Sequence, residues 1–228
     1  MKKMLWCAAL ALISLAARAQ NPTPLTRGEL NRLFPETVKT QFGIKFPVFK
    51  AFAYQDQTGT NYVLLTESQD TVVHDGPELD TISHAIKAIC LKATGDGYTK
   101  NWELNDFINT KDEESAIWFW SKSCSFKDLD GDGFVEPFVA YSTAGLNGGS
   151  DGRLKLILFY KGKKIAIRHQ NSEMDGERVT EVEAAFYTLP AAVQQQGIAI
   201  LKRIADTNEA IFATDWQKAM AKHKTTIE

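Results

Sequence analysis

The sequence predicts an α+β protein: an antiparallel sheet of about eight strands with C-terminal helices packed on it. Short segments rich in β-branched and aromatic residues recur between residues 48 and 169, as is typical of strands. Apolar residues at helical spacing become prominent only after Pro190. The length of 228 residues and the 44% hydrophobic content suffice for one domain, which we assign to residues 20–228.

Residues 1–19 have the organisation of a secretory signal peptide. Lys2 and Lys3 form a basic start, and the apolar run Met4–Ala16 is shorter than the about 20 residues of a membrane-spanning helix. Residues 17–19 (A-R-A) form a small-residue cleavage site, with an uncleaved anchor as the alternative. We therefore expect a periplasmic or secreted protein that has no transmembrane segment after signal cleavage.

The charge balance limits the classes of partner. The chain contains 28 acidic and 26 basic residues, and removal of residues 1–19 would take away three of the basic ones. The mature protein is therefore acidic, which disfavours nucleic acids and anionic membranes as partners. We expect a glycan or a protein as the partner instead.

The first half of the mature chain predicts one helix followed by strands. Thr26 and Glu29 form a capping box for a helix over residues 27–34, which Pro35 ends or bends. Residues 70–80 are polar and predict a loop. The predicted strands are Val48–Gln55, Asn61–Glu67, Ile82–Ala93, Tyr98–Ile108, Ala116–Phe126, Phe134–Ser142, Arg153–Tyr160 and Lys163–His169.

The C-terminal part predicts two helices. Pro190 is expected to open a helix that extends to about Asp206. A second helix near Thr214–Lys222 brings Trp216 and Met220 one turn apart. We expect both helices to pack on the sheet. The inner face of the first of them is formed by Val193, Gly197, Ile200, Leu201 and Ile204.

The loop at residues 128–136 has the pattern of a calcium site. Asp128, Asp130 and Asp132 alternate along it, so that a tight curl would point all three carboxylates inward. Gly133 supplies the backbone freedom that such a turn requires. The alternative is an acidic, solvated hairpin turn. Three neighbouring aspartates repel one another without a cation, which favours the metal site.

The remaining ligands distinguish this loop from an EF-hand. An EF-hand places a bidentate glutamate at loop position 12, where this sequence has Val139. Glu136, at position 9, is the predicted closing ligand, and Phe134 would contribute its main-chain carbonyl. Pro137 also disfavours a helix after the loop. We expect a structural Ca²⁺ rather than a catalytic one.

The run D-L-D-G-D-G-F-V-E resembles the strand–loop–strand calcium sites of FG-GAP and VCBS-type repeats. The resemblance implies that Asp128, Asp130, Asp132 and Glu136 bind the ion together with one carbonyl. It occurs once, so a repeat propeller is not expected. The opening hairpin, this strand pair, the hairpin K-L-I-L-F-Y-K-G-K-K-I-A-I-R and the helical tail together are similar in layout to exported Bacteroidota proteins assigned to surface polysaccharide biosynthesis. That resemblance implies a role in the cell envelope.

Two cysteines, Cys90 and Cys124, remain after the signal peptide, because Cys7 lies within it. An oxidising compartment favours a disulfide between them. The alternative is a pair of buried free thiols.

The sequence contains no H-E-x-x-H and no nucleophile elbow: residues 148–152 (G-G-S-D-G) fit the letters G-x-S-x-G, but this glycine-rich loop lacks the helix start that an elbow requires. The function we expect is that of a non-catalytic, calcium-binding envelope protein. One alternative is an enzyme acting on envelope polysaccharide, with Trp118, Trp120 and the acids near Asp112 in its cleft; core packing is the other interpretation of the tryptophans. Another alternative is a protein inhibitor of a hydrolase. The basic turn K-G-K-K at residues 161–164 either contacts an acidic glycan or is an ordinary exposed turn.

Overall fold

The computed structural model describes residues 21–75, 78–145 and 147–228. The predicted signal peptide, residues 1–19, lies outside these ranges. Within them the chain forms fourteen strands in three antiparallel sheets and four α-helices. The α+β class is therefore confirmed, whereas the predicted single sheet of about eight strands is corrected to three sheets. No helix within the described ranges is long and apolar enough to cross a membrane.

The elements follow in this order. The strands are β1 (Thr23–Pro24), β2 (Val48–Asp56), β3 (Gly59–Glu67), β4 (Thr71–Asp75), β5 (Glu78–Ile82), β6 (Ala85–Thr94), β7 (Gly97–Phe107), β8 (Ala116–Phe119), β9 (Ser125–Lys127), β10 (Glu136–Ala144), β11 (Arg153–Tyr160), β12 (Lys163–Gln170), β13 (Val179–Val182) and β14 (Thr226–Ile227). The helices are α1 (Arg27–Leu33), α2 (Glu36–Gln41), α3 (Ala191–Asp206) and α4 (Trp216–Ala221).

The strands divide into two large sheets and one small one. The first sheet has the order β1-β2-β3-β6-β7, and the second has the order β14-β13-β12-β11-β10-β8, with β9 also paired to β10. The third consists of β4 and β5 alone, so residues 70–80, predicted as a loop, contribute to a hairpin. Each of these pairings is antiparallel, which suits a chain built from consecutive hairpins.

The two large sheets pack face to face and share a hydrophobic core. Alternation along each strand sends one set of side chains into this core, among them Val63 from the first sheet and Val139 from the second. The opposite face of the second sheet, including Phe138 and Ala140, packs against the C-terminal helices. Strand β10 is consequently buried along its whole length.

Helices cover the outer faces of both sheets. Phe34, which follows α1, packs with Leu64 and Ile89 on the outer face of the first sheet. The predicted capping box of Thr26 and Glu29 is confirmed at the start of α1. On the second sheet, α4 buries Trp216 and Met220. The buried residues of α3 are those predicted for its inner face: Val193, Gly197, Ile200, Leu201 and Ile204. The order of layers is helices, first sheet, second sheet, helices.

The two cysteines are free thiols, so the predicted disulfide is not formed in this structure. Both contact the core between the two large sheets, with different hydrogen-bond partners: Cys90 Sγ lies 3.5 Å from Tyr54 Oη, and Cys124 Sγ lies 3.6 Å from the carbonyl oxygen of Trp120. Burial raises the pKa of both thiols to about 12. They are therefore protonated at neutral pH.

Candidate metal centre

The acidic loop connects β9 to β10, two antiparallel strands in which Lys127 pairs with Glu136 and Ser125 pairs with Phe138. Strands rather than helices therefore flank the loop, as the sequence predicted. Gly131 and Gly133 have positive φ angles of 77° and 87°, which L-amino acids with side chains rarely adopt. The two glycines allow the loop to curl within one short hairpin.

Three of the predicted ligands converge. Asp128, Asp130 and Glu136 each offer a carboxylate oxygen, and these oxygens lie within 4.8 Å of one another. The aspartate carboxylates also hold the loop, since Asp128 accepts hydrogen bonds from the Gly131 and Gly133 amides at 2.8 and 3.0 Å. Hard oxygen donors of this kind are those that Ca²⁺ prefers.

Asp132, the fourth predicted carboxylate ligand, does not belong to this group of three. Asp132 forms an ion pair with Lys161, with 3.0 Å between Oδ2 and Nζ. Phe134 donates its amide hydrogen to Asp132 Oδ1 at 3.0 Å, and the residue is 41% exposed. Asp132 would therefore have to leave Lys161 to join a metal ion held by the other three carboxylates.

Glu136 has the most unusual electrostatic environment in the loop. It is only 2% exposed, and the Leu129 amide donates a hydrogen bond to its Oε2 at 2.7 Å. Burial, together with the negative charges of Asp130, Asp132 and Asp128, raises the pKa of Glu136 to about 7. A divalent cation would relieve this repulsion, so the donor set fits calcium.

The loop is fixed against the first sheet by the turn between β2 and β3. The Gln57 amide donates to the Gly133 carbonyl at 2.9 Å, and Gln57 Nε2 donates to the Asp132 carbonyl at 3.1 Å. The buried Asp56 accepts a hydrogen bond from the Val135 amide at 3.5 Å. Sequence reasoning missed these contacts, because D-Q-T-G-T has the local pattern of an ordinary hairpin turn.

A cavity of about 610 Å³ opens beside the loop, where the two large sheets meet. Asp132, Phe134 and Glu136 form one wall. Trp102 and Phe159 also line it, with ring centroids 4.3 Å apart and nearly parallel planes. Aromatic faces next to a few polar groups are typical of small-molecule sites. Lys161 and Lys164, from the basic turn, line the same cavity.

The tryptophans singled out in the sequence lie elsewhere. Trp118 and Trp120 are half-buried, and Trp120 packs against the core beneath the C-terminal helices. Core packing therefore accounts for Trp120, whereas the aromatic wall of the cavity includes Trp102. No local signal could have identified Trp102, because its neighbour Phe159 comes from a distant hairpin.

No protein-family model, no curated protein and no solved structure matches this chain. The chemistry of the loop and of its surroundings is therefore the basis for assigning a function.

Proposed function

We propose that this chain is an exported, calcium-binding protein of the cell envelope that binds a glycan or protein partner without catalysing a reaction. The observation that carries the proposal is the convergence of the Asp128, Asp130 and Glu136 carboxylates within 4.8 Å. Calcium completes its coordination with about six to eight oxygens. Asp132, main-chain carbonyls such as that of Phe134, and water would supply the remainder.

The ion would act as a structural connection between the sheets. The loop belongs to the second sheet, but its backbone is hydrogen-bonded to Gln57 of the first. Neutralising the acidic loop would stabilise this contact. The adjoining cavity supports the partner-binding part of the proposal, because it combines the Trp102 and Phe159 rings with polar side chains in the manner of a sugar site.

Isothermal titration of the mature chain tests the metal site directly. We expect one Ca²⁺ per chain, and a loss of affinity of roughly 30-fold or more in Glu136→Gln, since removing one partner of a buried charged contact costs at least about 2 kcal/mol. Glu209→Gln, which changes an exposed carboxylate outside the loop, is the matched control. No calcium uptake by the wild-type chain would refute the proposal.

Thermal unfolding tests calcium binding independently of calorimetry, through the stability of the native state. A ligand at about 100 times its Kd stabilises the native state by about 2.7 kcal/mol, which corresponds to a rise of about 5–10 °C in Tm for a chain of this size. Addition of EDTA should reverse the rise. Mg²⁺ should produce a smaller one, because it demands near-ideal octahedral geometry. A Ca²⁺-dependent rise that persists in Glu136→Gln would place the ion elsewhere.

A further inference from the structure

A second cavity, of about 360 Å³, lies between residues 122–127, which include β9, and the helix α3. Its wall is basic: Lys122, Lys127 and Arg203 line it, and no aspartate or glutamate of the described chain does so. Lys50 adds a further positive charge nearby, with its Nζ 3.3 Å from Ser121 Oγ. None of its wall residues is a predicted calcium ligand.

These cations are not neutralised by the protein. Within the described residues, none of Lys50, Lys122, Lys127 and Arg203 takes part in an ion pair. The chain as a whole carries more acidic than basic residues, so this concentration of positive charge runs against its overall composition. Such a pocket attracts anions from solution.

Two serines provide hydroxyl groups in the same wall. Ser123 Oγ accepts a hydrogen bond from Arg203 Nη2, which holds the guanidinium group beside the cavity. Ser125 is only 8% exposed, and among the described residues its hydroxyl has no hydrogen-bond partner. A buried hydroxyl without a partner is uncommon in native structures. An anionic oxygen in the cavity would accept its hydrogen.

We propose that this cavity binds a phosphate or sulfate group. Arg203 presents a planar fork of N–H donors that matches the oxygens of such groups. Ser125 donates its otherwise unused hydroxyl hydrogen, and Lys122 and Lys127 neutralise the remaining charge. The cavity is large enough for the anionic group together with one attached ring. The group can thus arrive as a free ion or as a substituent of a small molecule such as a sugar.

Titration calorimetry on the mature chain at constant ionic strength tests this proposal with inorganic sulfate, glucose 6-phosphate and uncharged glucose. Binding of the two anions but not of glucose is expected. Tighter binding of glucose 6-phosphate than of sulfate would identify a substituted sugar as the ligand class, whereas equal affinities would identify the free anion. Failure of both anions to bind would overturn the proposal.

Substitutions of residues in the cavity wall test whether the anion binds in this cavity. Arg203→Gln and Ser125→Ala should each weaken anion binding about tenfold, because hydrogen bonds to charged groups are strong. Lys163→Gln, which changes the exposed first residue of β12, should bind as the wild type does. In the absence of anion, Ser125→Ala should melt at the wild-type temperature or above it, since only an unpartnered hydroxyl is lost. Unchanged affinity in both wall variants would overturn the assignment to this cavity.

Discussion

Replacing Arg153 with methionine is expected to lower the free energy of unfolding by about 3–5 kcal/mol, as is typical when one partner of a buried ion pair is removed. Glu114 is 7% exposed and forms its ion pair with Arg153, with 2.6 Å between Arg153 Nη2 and Glu114 Oε2. Burial opposes ionisation of Glu114, but its hydrogen bonds with Arg153, the Asn109 amide and Thr143 outweigh this and hold its pKa below the usual value. The substitution would leave a buried carboxylate without its cation.

Urea denaturation of a chain comprising residues 20–228, at neutral pH, measures this loss. Lys163→Met is the control, because it also exchanges one cation for methionine but at an exposed position. The double variant Glu114→Gln, Arg153→Met should recover part of the stability, since it no longer buries an unpaired charge. A change below about 1 kcal/mol in Arg153→Met would show that the pair behaves like an exposed salt bridge.

Acidification is expected to destabilise the protein through His169. This side chain is 2% exposed; its Nδ1 lies 2.9 Å from Thr180 Oγ1, and its Nε2 lies 3.1 Å from the Ile211 carbonyl oxygen. Burial lowers the pKa of His169 to about 4. Between about pH 6.5 and this lower value the unfolded chain binds the proton and the native chain does not, so stability falls as pH falls. The expected loss across that window is about 3 kcal/mol, and it is complete below the native pKa.

The comparison of His169→Gln with the wild type isolates this contribution. Other groups also contribute to the acid dependence, so the relevant quantity is the difference in slope of unfolding free energy against pH. The wild type should show the steeper slope between about pH 6.5 and 4. His223→Gln, which removes an exposed histidine, should retain the wild-type slope. Equal slopes for His169→Gln and the wild type would contradict the prediction.

Local sequence patterns identified part of the secondary structure, although the predicted strand Ala116–Phe126 is two strands, β8 and β9, separated by a turn. The capping box at Thr26 and the hairpin strands depend on residues close together in the chain, and so do the strands that flank the acidic loop. Propensity and periodicity report such short-range preferences. They could not show that the strands divide into two stacked sheets, because β10 has the same apolar composition whichever layers cover it.

The candidate site was predictable only in its local part. Asp128, Asp130 and Glu136 belong to one short loop, and the structure brings them together. The pairing of Asp132 with Lys161 and the docking of the loop on Gln57 join distant segments, which spacing alone does not reveal. The disulfide was expected only because an oxidising compartment favours disulfides. The compartment does not determine whether two cysteine side chains meet in the geometry that a disulfide requires.

The short terminal strands have a consequence for association between molecules. β1 and β14 each contain two residues and occupy one border of each large sheet. A long, unpaired border strand offers a row of backbone donors and acceptors on which another chain can add. Here β1 pairs with part of β2, and β14 pairs with part of β13. With two residues each, β1 and β14 are too short to accept a further strand. These two borders are thus poor templates for the addition of a strand from another chain.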